Sequence, residues 1–106
     1  MDELIGKLRQ FRDERDWKQF HNPKDLALAL SIEASELLEA FLWKSSEEAD
    51  VNKVKEELAD VFAYALLLAD AYELDVYTIV TDKIEINKNK YPVDKAKGNA
   101  KKYTEL

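Results

Sequence analysis

Helix breakers are almost missing from this sequence. Of 106 residues only two are glycine (Gly6, Gly98) and two proline (Pro23, Pro92), so long stretches run uninterrupted through Ala, Leu, Glu and Lys. Such a chain is expected to be all-α. Its length suits one domain, which we place over residues 1–106, with a core small enough that self-association is expected.

Hydrophobic spacing divides the chain into about four helices. Residues 2–16 carry Leu4, Ile5, Leu8 and Phe11 at helical intervals, with Asp2 placed to cap the first turn. Asn22-Pro23 reads as a cap followed by proline at the first helical position, opening a second helix from 23 to about 43. The apolar residues of this helix lie nearly all round it, which predicts burial on more than one side. Residues 44–50 read as a connection, a third helix is expected over about 51–72, and Asp75 caps a fourth over about 76–91 that Pro92 ends. Residues 93–106 read as an irregular tail.

Composition removes several kinds of function. Sixteen Lys plus Arg against twenty-two Asp plus Glu give a net charge of −6, opposite to the basic footprint of a nucleic-acid binder. No window approaches the roughly 18 to 20 consecutive apolar residues of a membrane span, and Met1-Asp2-Glu3 is not the start of a signal peptide, so a cytoplasmic location is expected. With no cysteine and His21 as the only histidine, disulfides, thiolate metal sites and thiol nucleophiles are excluded.

Chemistry concentrates in two acid pairs. The second helix carries Glu33-x-x-Glu36 and the third Glu57-x-x-Asp60, with twenty residues between the pairs. At about 100° per residue, Glu33 falls on the apolar face of Leu26, Leu30 and Leu37, and Glu57 on that of Val54, Val61 and Leu68. Burying carboxylates together costs several kcal/mol each and adds repulsion, which a divalent cation offsets. An all-oxygen donor set suits Mg²⁺, with Mn²⁺ as the alternative, and the lack of Glu-x-x-His argues against a di-iron bundle. Chance spacing among many acids, on solvated faces or paired to lysines, is the competing reading. Lys83, Asn87 and Tyr91 recur every four residues, a row of cation, amide and phenol suited to a polyphosphate or else simply exposed. Trp17, His21 and Trp43 flank the second helix and offer flat rings to a nucleobase, although tryptophans in small proteins more often serve core or interface.

Taken together, Glu33-x-x-Glu36, twenty residues, and Glu57-x-x-Asp60 resemble the E-x-x-E(12–28)-E-x-x-D signature of the all-α MazG-like nucleoside triphosphate pyrophosphohydrolases. The runs Trp17-Lys18-Gln19-Phe20-His21, Phe41-Leu42-Trp43-Lys44 and Tyr91-Pro92-Val93, with Lys102-Tyr103-Thr104, are similar to the dCTP pyrophosphatase branch. The resemblance implies Mg²⁺-dependent hydrolysis of a (deoxy)nucleoside triphosphate, dCTP or a modified dCTP, to monophosphate and pyrophosphate. It implies metal binding by Glu33, Glu36, Glu57 and Asp60, with Glu36 or Glu33 also acting on the attacking water. It further implies a base pocket from Trp17, His21 and Trp43, phosphate and sugar contacts from Tyr64, Lys83, Asn87 and Tyr91, and a homodimer or homotetramer. Two departures stand out: the connection between the second and third helices is shorter than in the animal enzymes, and basic positions near Asn87 are lysine where arginine is common. The reading from another class is a non-catalytic helical oligomer whose acids bind a partner or a structural cation.

Overall fold

The computed structural model describes all residues 1–106 and contains helices and turns without a strand. Five α-helices follow in order: α1 (Asp2–Glu14), α2 (Pro23–Glu39), α3 (Val51–Ala71), α4 (Val76–Lys90) and the single turn α5 (Val93–Ala96). None is long and apolar enough to cross a membrane. The chain divides into two compact units, residues 1–73 and 74–106.

In the first unit α2 packs along α3, and α1 lies against α3. The core is formed by Leu26 of α2, Leu66, Leu67 and Ala69 of α3, and Ala40 just beyond α2, all at least nine-tenths buried. Arg9 ties α1 to α3 through a two-pronged pair with Asp70, its Nε donating over 2.9 Å. The start of α2 follows the sequence: the Asn22 side chain accepts from the Asp25 amide at 2.9 Å and Pro23 takes the first helical position. Asp50 caps α3 in the same way, accepting from Asn52 at 2.9 Å.

Four expectations are corrected. Met1, not Asp2, precedes the first turn of α1, and no side chain caps it. The second helix stops at Glu39 rather than near 43, because the Phe41 and Leu42 amides bond three residues back, at 3.0 Å, and Trp43 turns the chain with φ +61°. The all-round apolar α2 is buried on one side only. Leu28, Ile32 and Leu38 are 51%, 59% and 71% exposed, and Leu58 and Phe62 of α3 are likewise open. Finally, the tail is not wholly irregular.

In the second unit Asp75 caps α4, accepting from the Thr78 amide at 3.0 Å, and Pro92 follows the end of the helix as expected. The same proline starts α5, since its fixed φ suits a first turn and its carbonyl accepts from Ala96 at 2.8 Å. Gly98, at φ +83°, then breaks the chain, and a last tight turn spans Tyr103–Glu105.

Candidate metal and nucleotide site

The contact between α2 and α3 brings three of the four acids together. One carboxylate oxygen each from Glu33, Glu36 and Glu57 lies within 4.8 Å of the others. Glu57 is 6% exposed and Glu33 half-buried, because both stand on the apolar stripes by which their helices pack. Only one cation reaches the group: Lys53 Nζ lies 2.7 Å from Glu57 Oε1. The second oxygen of Glu57 and Oε2 of Glu33 are buried with no hydrogen-bond partner.

The charges respond to this crowding. The Glu33 carboxylate in contact with Glu36, and its negative charge, push the Glu36 carboxyl up to about 7, with Glu57 adding to the effect. The Lys53 ammonium bonded to Glu57 holds that carboxyl below its usual range against the opposing pull of burial. A cluster left to itself therefore retains a proton near neutrality. Three converging carboxylates with two unsatisfied buried oxygens fit a hard divalent cation, which would accept both lone-pair sets and remove the repulsion.

Asp60 does not join the three acids. It is exposed and lines a neighbouring cavity of about 110 Å³ together with Trp17, His21, Tyr64, Phe11 and Arg12. Aromatic rings continue through this wall: Phe11 meets Trp17 edge-on at 5.7 Å, Trp17 lies 6.5 Å from His21, and His21 lies 6.4 Å from Tyr64. Tyr64 links cavity and cluster, since burial first, and then the charges of Glu33, Asp60 and Glu36, raise its phenol above the usual range.

Local backbone geometry presents these rings. Asp16 takes φ +53° at the end of α1, and the Trp17 amide reaches back to the Arg12 carbonyl at 3.0 Å, the Schellman pattern that fixes where Trp17 leaves the helix. One tight turn (Lys18–Phe20) then delivers His21 just before the Asn22 cap. His21 is half-buried, its Nδ1 is buried without a partner, and burial followed by the Arg12 charge holds its pKa below the ordinary value. At neutral pH it is an uncharged ring. A larger polar cleft of about 860 Å³, between Arg9, Lys18 and Asp70, shares His21 but contains none of the four acids.

The remaining expected residues are placed differently. Trp43 is 93% exposed in its left-handed turn and does not reach the Trp17–His21–Tyr64 wall. In the second unit Lys83 and Asn87 share a groove with Ile79, Val80 and Ile84, while Tyr91 packs edge-on against Tyr103 at 6.1 Å. Sequence reasoning missed Lys53, whose i, i+4 spacing to Glu57 was the available signal, and it missed Arg12, which spacing alone does not mark out.

An all-α chain with an acidic cluster that could hold a metal ion beside an aromatic cavity is the class that fold and site define. Comparison with known proteins narrows this class. Residues 28–106 match the MazG-like family, and the chain belongs to that family. It is 41% identical over 105 residues to dCTP pyrophosphatase 1 of Rattus norvegicus and 40% identical to that of Homo sapiens, covering 92% of this chain in each case. The chain spans 62% of the length of these curated relatives. A pyrophosphatase from Archaeoglobus fulgidus of known crystal structure is similar at 45% identity and a TM-score of 0.81, over 87% of this chain and 92% of that one.

Proposed function

We propose that the protein is a Mg²⁺-dependent nucleoside triphosphate pyrophosphohydrolase of the cytoplasm, acting on dCTP or a modified dCTP and releasing the monophosphate and pyrophosphate. The observation that carries this reading is the pair of buried, unpartnered carboxylate oxygens of Glu33 and Glu57 converging with Glu36. The names of the relatives support the reaction and the nucleotide.

In this reading Glu33, Glu36 and Glu57 hold the cation and Asp60, one helical turn beyond Glu57, adds a fourth carboxylate from the cavity side. Bound Mg²⁺ supplies Lewis acidity at a phosphoryl oxygen and neutralises charge that builds on the polyphosphate. Glu36 or Glu33 orients the attacking water and takes its proton. Trp17 and neutral His21 face the base. The exposed ring of Trp43 adds a stacking surface, and Tyr64 lies between base and metal. Lys83, Asn87 and Tyr91 bind phosphate and sugar, a role supported by their spacing along α4 and its end. The open apolar faces of α2 and α3 are covered by further copies of the chain in a homodimer or homotetramer.

Thermal melting with Mg²⁺ alone, a non-hydrolysable dCTP analogue alone, and both together tests this reading. A shift with both that exceeds the sum of the separate shifts supports a metal–nucleotide site; strictly additive shifts argue against it.

A further inference from the structure

Lys53 takes no part in the proposed chemistry, yet it is the only cation paired with the acid cluster. The ion pairs of the chain leave Glu33 and Glu36 without a basic partner, and only Glu57 holds one. The Lys53 side chain is 53% exposed while that of Glu57 is 8% exposed, so a solvent-exposed lysine reaches inward to a buried carboxylate.

Two features separate this contact from a device that stabilises α3. Lys53 stands in the first turn of the helix, where a positive charge opposes the helix dipole. In pairs spaced i, i+4 the favourable order places the acid before the base, and Lys53–Glu57 has the reverse order. The contact is made against both local preferences, and what it gains is the negative potential of three converging carboxylates.

We propose that Lys53 is a resident counter-ion of the cluster, bonded to Glu57 in the metal-free protein and surrendering that bond when a divalent cation binds, so that it sets how tightly the metal is held. The inference rests on the metal reading above. The lysine tail has the length and freedom to swing into solvent, and Glu57 then offers both oxygens inward. A site that exchanges one cation for another stays charge-balanced in both states, and it binds metal more weakly than the bare acids would. Removing the ammonium leaves the metal-free cluster under greater repulsion and deletes the competitor.

The test is Mn²⁺ binding to the metal-stripped full chain, followed by the electron paramagnetic resonance signal of free Mn²⁺, for wild type, Lys53→Met, Lys53→Gln and Lys53→Arg. The two neutral variants should bind Mn²⁺ about three- to tenfold more tightly, the range set by losing one partly exposed charge pair, and Lys53→Arg should stay near wild type. In chelator the neutral variants should melt lower than wild type, and saturating Mn²⁺ should close that gap. Mn²⁺ uptake by wild type with equal or weaker binding in both neutral variants would overturn the role of Lys53 alone. No Mn²⁺ uptake by wild type would overturn the metal reading and this inference with it.

Discussion

Adding Mg²⁺ to the metal-free protein should expel a proton, and the amount follows from the cluster. Glu36 is raised from 4.5 to about 7 by the carboxylates of Glu33 and Glu57. A group with that pKa carries about nine-tenths of a proton at pH 6, about half at pH 7 and about a tenth at pH 8. A divalent cation among the three carboxylates stabilises their charged forms, so the bound state carries almost none. Titrating MgCl₂ calorimetrically in buffers of different ionisation enthalpy gives the protons released per metal at each pH. Release should fall from pH 6 to pH 8, and Glu36→Gln, which keeps a donor toward Glu33 but has no proton to lose, should abolish most of it. The same shift fixes a sign for stability: between the unfolded value of 4.5 and about 7 the folded metal-free chain holds more protons than the unfolded one. The contribution of Glu36 to stability therefore declines as pH rises through that window, and Mg²⁺ removes the decline. Release that is zero at every pH, or that grows with pH, would refute the claim that the three acids share one charged site.

Three further outcomes follow from the packing and the cavity. Leu26→Ala, at a position 2% exposed between α2 and α3, should cost about 3 kcal/mol in chemical denaturation; a loss well under 1 would mean that this contact does not hold Glu33 against Glu57. Asp16→Val forces a β-branched residue into a left-handed turn at φ +53° and should destabilise by about 1–2 kcal/mol, with a changed Trp17 emission as the local readout. Trp17→Ala should raise KM for the preferred nucleotide more than it weakens binding of inorganic tripolyphosphate, and equal losses would remove Trp17 from the base-binding wall.

Much of this was legible because periodicity reports burial. Glu33 and Glu57 could be placed together from sequence since each interrupts an apolar stripe, and the stripes are what pack α2 on α3. Starts of helices were legible where a side chain does the capping, as at Asn22 and Asp75. The end of α2 was not, because its turn at Trp43 uses a left-handed residue without glycine or proline to announce it. Asp60 shows the limit of angular reasoning: about 60° from Glu57 on the helix, it opens to the cavity rather than to the cluster. Lys53 was hidden among sixteen basic residues, since its i, i+4 spacing to Glu57 gains meaning only from the burial of that acid. The apolar residues round α2 predicted burial on more than one side, but a single chain covers only one side of them.

The central claim is that the acid cluster serves pyrophosphohydrolysis, and a chromatographic product assay on a panel of nucleoside and deoxynucleoside triphosphates with Mg²⁺ tests it most directly. The account predicts monophosphate and pyrophosphate, fastest from dCTP or a modified dCTP, with turnover lost in chelator and almost lost in Glu36→Gln. Diphosphate and phosphate as products, undiminished turnover in Glu36→Gln, or no product from any nucleotide would contradict it.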